Sequence, residues 1–155
     1  MRTTRKYNIT NPLEFKLKLY QWSQHHDEVV WLDSNDHKGR YHSYDVILAV
    51  DALTSLQCNY DGAFEQLSEY QKATKDWIFG YLSYDLKNDI EDLSSEKFDG
   101  LGFPDLYFFQ PKKLFLIRGN TVELRFLNLV SDEIQEDFNS INKTCLLYTS
   151  DAADD

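Results

Sequence analysis

The chain has 155 residues, enough for one domain with its own hydrophobic core, because domains cluster at roughly 100–150 residues. Its 26 acidic and 16 basic residues leave a net charge of −10, which repels nucleic-acid phosphates and anionic lipid heads, so neither nucleic acid nor a membrane surface is an expected partner. A composition that is 42% hydrophobic and 15% aromatic excludes a disordered acidic tail and predicts a packed interior.

In chain order, Met1 to Lys6 has no apolar stretch of a secretory leader, and no apolar run of about 18 residues follows anywhere, so the expected location is cytoplasmic. Asn11-Pro12 reads as an N-cap followed by a first-turn proline, and Phe15, Leu19 and Trp22 recur at helical spacing, predicting a helix to about His25. Val29 to Leu32 and Val46 to Val50 are short apolar runs bounded by polar stretches, which predicts two neighbouring strands. Asp61-Gly62 breaks the chain, and Phe64, Leu67, Tyr70 and Ala73 predict one face of a second helix ending before Trp77.

Trp77 to Leu82 predicts a strand in which Gly80 marks either a bulge or a close backbone approach. Asp85 to Leu93 has helical character. Leu106 to Phe109, Lys113 to Arg118 and Thr121 to Leu127 predict a three-stranded meander, with Gly119-Asn120 as a two-residue turn and Lys112-Lys113 exposed in a solvated turn. Ser131 is the predicted N-cap of a last helix carrying Ile134, Phe138 and Ile141 on one face. Interspersed helices followed by consecutive strands predict an α+β domain with a mainly antiparallel β-sheet and flanking helices.

Chemistry is harder to place. No nucleophile elbow or phosphate-binding glycine loop is present. Cys58 and Cys145 belong to no Cys/His cluster, so neither a disulfide framework nor a zinc site is expected. His25, His26, His37 and His42 are crowded in sequence but badly spaced for a metal, and structural or solvated roles are expected. Asp85, Asp89, Glu91 and Asp92 fit a solvated helix face better than a general acid/base pair. No catalytic residue and no metal ligand is assigned.

Two segments carry a resemblance. Trp31-Leu32-Asp33-Ser34, followed by Tyr41-His42-Ser43-Tyr44-Asp45-Val46-Ile47, resembles the amino-terminal motif of component I of the anthranilate and aminodeoxychorismate synthases. Phe79-Gly80-Tyr81-Leu82-Ser83-Tyr84-Asp85-Leu86 is similar to that family's Gly-x-x-x-Tyr-Asp element, and Phe103-Pro104-Asp105-Leu106-Tyr107-Phe108 to its Pro-Asp strand. The match runs from about Glu28 to Leu127, in the family's order.

The resemblance implies that residues 1–143 are the non-catalytic, tryptophan-pocket domain of such a chorismate-utilising synthase, with Ser34, Tyr41, His42, Ser43 and Tyr44 lining the pocket for L-tryptophan. It implies a separate carboxy-terminal chorismate-binding domain that carries the catalytic residues and magnesium, so no cofactor is expected in this chain. A glutamine amidotransferase subunit would supply ammonia. The aminodeoxychorismate branch, which serves para-aminobenzoate and folate synthesis, is the preferred reading; the anthranilate branch of tryptophan synthesis and a stand-alone amino-acid-binding module are the alternatives. Residues 144–155, Thr144 to Asp155, resemble the translation of a sequencing adapter, so a non-native tail is expected there.

Overall fold

The computed structural model describes residues 1–34, 44–59, 61–82 and 105–146. The chain is an α+β fold: β1 Arg2–Asn8, α1 Pro12–Ser23, β2 Val29–Asp33, β3 Val46–Cys58, α2 Ala63–Thr74, β4 Phe79–Leu82, β5 Leu106–Arg118, β6 Thr121–Leu127 and α3 Ile134–Asn142, with a 3₁₀ segment Asn128–Glu133 before α3. The sheet runs β1-β6-β5-β3-β2 with β4 also on β5, and the pairings β1–β6, β2–β3, β4–β5 and β5–β6 are antiparallel. Two compact units result, Met1–Asp51 with Lys112–Asp155, and Ala52–Pro111.

In the first unit, α1 starts where its sequence says it should. The Asn11 side chain accepts the Glu14 N–H at 3.1 Å, and Pro12 opens the helix where no N–H is needed. The helix ends at Ser23, two residues short of the predicted His25, as the Gln24 N–H turns back to Gln21 O at 3.2 Å. Asn11→Ala removes the cap and is expected to lower stability by about 1 kcal/mol, read as a shift in the urea midpoint.

Phe15, Leu19 and Trp22 bury against Val46, Leu48 and Val50 of β3, Phe115 and Ile117 of β5, and Val122, Leu124 and Phe126 of β6. Ile134 and Ile141 of α3 join the same core, and Phe138 packs at its edge, its ring stacked 3.9 Å from that of Tyr7. Gly119 takes the positive φ of 58° that the first position of the two-residue β5–β6 turn requires.

Two expectations fail here, and one strand has no sequence signal. Lys112 and Lys113 are not in a turn: β5 runs unbroken through them, so the expected three-stranded meander has two of its strands fused into one of 13 residues. Lys113 is only 5% exposed. Ser131 is not the cap of α3 but lies inside the 3₁₀ segment, where its carbonyl accepts the Ile134 N–H. Strand β1 was not foreseen at all, because Arg2, Thr3, Thr4, Arg5 and Lys6 show no apolar alternation; it is an edge strand paired residue for residue with β6 from Arg2↔Leu127 to Asn8↔Thr121.

In the second unit, Leu106 and Ala63 are fully buried, and Leu56, Cys58, Phe64, Leu67 and Phe108 pack around them. Ala73, expected on one face of α2 with Phe64, Leu67 and Tyr70, is exposed. Tyr70 closes the other end of this contact, its hydroxyl 2.7 Å from Thr54 Oγ1. Thr54 Oγ1 donates to buried Gln110 at 3.2 Å, and Gln110 Nε2 donates to Asp76 at 3.0 Å. The expected helix from Asp85 to Leu93 lies outside the described residues.

Candidate functional site

Of the five residues that the sequence nominates, Ser34 and Tyr44 can be placed; Tyr41, His42 and Ser43 lie outside the described residues. Ser34 follows the last residue of β2. The ladder ends with Asp33 opposite Val46, and continues one step as the Ser34 N–H donates to Asp45 O at 2.9 Å. Asp45 in turn donates its N–H to Ile117 O at 2.8 Å, and its carboxylate accepts the Gly119 N–H at 2.8 Å. Lys16 of α1 holds Asp33 by an ion pair of 2.7 Å, so the residue before Ser34 is fixed from the helix side.

The Ser34 hydroxyl oxygen is itself buried and has no hydrogen-bond partner among the described residues. Most buried hydroxyls are satisfied, and leaving one unmade costs about 1–3 kcal/mol. Such a group is a ready partner for a polar atom brought by a ligand.

Tyr44 is one residue from this hydrogen-bonded junction. The Arg118 guanidinium lies 4.7 Å from the centre of its ring, and Arg125 Nη2 donates to its hydroxyl at 3.4 Å. Arg125 is also paired with Glu123 at 2.5 Å. A recess of about 190 Å³ opens here between Lys6, Tyr44, Leu116, Arg118, Thr121 and Glu123.

The sequence reading missed a buried ionic cluster. Lys113 Nζ donates to Asp137 at 2.6 Å and to Glu133 at 2.8 Å, with the Phe126 ring 5.3 Å from the ammonium. Burial by itself would lower the Lys113 pKa, but the hydrogen bonds that its ammonium donates to Asp137 and Glu133, with their negative charges, outweigh it and hold it above 10.5. Burial also pushes the Asp137 carboxyl above 3.8, which the hydrogen bond from Lys113 only partly offsets. A charged lysine tied down by two carboxylates is a poor nucleophile or base, and the cluster is a structural tie between β5 and the entrance to α3.

Of the histidines, His25 and His26 follow the end of α1; His26 pairs with Asp51 at 3.3 Å and lies against Trp22. His37 and His42 are outside the described residues, as is the carboxylate group from Asp85 to Asp92. Among the described residues no three His, Cys, Asp or Glu side chains gather closely enough to hold a metal ion, and no helix is long and apolar enough to cross a membrane.

Fold and geometry thus define a class: an α+β chain whose antiparallel β2–β3 pair ends at a serine whose buried hydroxyl has no hydrogen-bond partner among the described residues. Compared with known proteins, the sequence matches no protein-family model and no curated protein.

Proposed function

We infer that this chain is the amino-terminal, non-catalytic part of component I of an aminodeoxychorismate synthase, and that its site holds an amino acid, with L-tryptophan as the ligand. The observation that carries the reading is the Ser34 hydroxyl, buried at the end of β2 and without a partner among the described residues, at the position that the Leu-Asp-Ser resemblance marks as the ligand-holding serine. A ligand ammonium or carboxylate would supply the missing hydrogen bond, and the aromatic residues Tyr41 and Tyr44 are the side chains suited to an indole. In this reading chorismate chemistry and magnesium belong to a separate carboxy-terminal domain, and a glutamine amidotransferase is the partner subunit.

Isothermal titration of this chain with L-tryptophan tests it. Saturable binding is expected, and Ser34→Ala, which removes only the hydroxyl, is expected to weaken it by about tenfold, equivalent to 1.4 kcal/mol. Absence of saturable heat, or equal binding by Ser34→Ala, would overturn the reading.

A further inference from the structure

We propose that the outer edge of β2, with an apolar row of α1 beside it, docks a second copy of this chain, β2 pairing antiparallel with β2 about a two-fold axis at Trp31. The sheet ends at β2, whose neighbour among the described residues is β3. The Ser34 N–H donates to Asp45 O and the Asp51 N–H to Glu28 O, so Val30 and Leu32, in step with them, turn their backbone groups toward β3. Those of Val29 and Trp31 therefore face outward, as one side of a ladder.

The two edges of the sheet differ. β1 carries Arg2, Arg5 and Lys6, cations of the kind that keep other strands away, whereas Val29-Val30-Trp31-Leu32-Asp33 has no basic residue, no proline and no break in its ladder. Its one charged residue, Asp33, is paired with Lys16 at 2.7 Å. On α1, Leu13, Leu17 and Tyr20 recur at i, i+4 and i+7 as a second apolar row, 65%, 39% and 45% exposed. This row borders β2: the Tyr20 ring meets that of Trp31 edge-on at 5.1 Å, and Lys16 reaches Asp33. On the opposite face of the strand Leu32 is 49% exposed.

Register selects the occupant, because β2 complements itself. Pairing centred on Trp31 sets Leu32 opposite Val30 of the second copy, Val30 opposite its Leu32, and the two Trp31 side by side. Centred on Val30, it would set Leu32 against Glu28; centred on Leu32, it would set Trp31 against Asp33. With about 200 Å² for a large apolar residue in the open, the exposed fractions of Leu13, Leu17, Tyr20 and Leu32 amount to roughly 400 Å² per copy. Two copies bury about 800 Å² from these residues, and the paired strand edges bring the total to the order of 1,000 Å² that a specific but weak dimer needs. The contact uses neither the Ser34 hydroxyl nor Tyr44, so it stands apart from the tryptophan reading.

The test is sedimentation velocity of the whole chain over the micromolar to millimolar range. An equilibrium that closes at two copies is expected, with a dissociation constant on the order of 100 μM. Added salt should tighten it, as repulsion between two chains of net charge −10 is screened. Leu32→Lys and, separately, Leu17→Lys are each expected to weaken it about tenfold; both positions are exposed, and an unchanged urea midpoint in dilute protein checks that the fold is kept. Amide exchange reads the register: the Trp31 amide should slow as the dimer fills, and that of Arg5 in β1 should not. A monomer throughout the range, open-ended assembly, weakening in salt, full affinity in both lysine variants, or slowing at Arg5 in place of Trp31 would each sink the proposal.

Discussion

Lys113→Met is expected to destabilise the fold by about 3–5 kcal/mol at neutral pH, far more than an exposed lysine would, because it leaves Asp137 buried with its counterion gone. The side chain of Lys113 is 7% exposed and that of Asp137 13%, and the 2.6 Å bond between them is the shorter of the two that the ammonium makes. Replacing the pair together, Lys113→Met with Asp137→Leu, removes both charges and is expected to recover most of the loss. Urea unfolding of the parent, the two single variants and the double variant gives the four free energies needed. A loss under about 1 kcal/mol in Lys113→Met, the range of surface ion pairs, would show that this lysine is solvated after all.

The pH dependence adds a second readout with a definite sign. Lys113 has a raised folded pKa, so its contribution is fully present below 10.5 and is lost as pH rises through the folded value. Asp137 also has a raised folded pKa; its titration favours the folded state below 3.8 and loses that contribution as pH rises through the folded value. In Lys113→Met only the weaker, more distant influence of His26 remains to draw the Asp137 pKa down, and the buried carboxylate is worst tolerated when ionised. The stability gap between variant and parent should therefore narrow as pH falls through the carboxylate range.

Gly80→Ala is expected to cost about 2–3 kcal/mol and to loosen β4 selectively. A Cβ at Gly80 would fall on the carbonyl oxygen of Tyr107 and 2.6 Å from the Cα of Phe108, its partner across the β4–β5 ladder. Both obstacles are backbone, so no rotamer change relieves the overlap and the strands must separate. Amide exchange at Phe79 to Leu82 should accelerate by more than exchange in β6, which pairs with a different stretch of β5. An alanine variant with unchanged exchange would show that the strands do not approach in this register. Close approach of the β5 backbone is thus a steric reason for glycine at position 80.

Much of the fold was legible in the sequence because it was written in local terms. Asn11-Pro12 capped and opened α1, the Phe15, Leu19 and Trp22 spacing set its buried face, and Gly119-Asn120 made the turn between β5 and β6. Each rests on interactions within a few residues, which spacing and residue type report directly. The pairing of β2 with β3 and the α+β class followed from the order of these elements.

The tertiary structure decided what depends on partners distant in sequence. Two lysines in a row read as a turn because an unpaired buried ammonium is prohibitive; only the packing of the segment Asn128–Glu133 and α3 against β5 brings Glu133 and Asp137 within reach of Lys113 and lets β5 run through. β1 has no apolar signature, since its pairing with β6 is made by backbone groups that every residue carries. The candidate site divides the same way. Ser34 could be nominated from a motif, but that its hydroxyl is buried, and that Lys6, Arg118 and Arg125 come together near Tyr44, are consequences of strand register, which joins residues more than 70 positions apart.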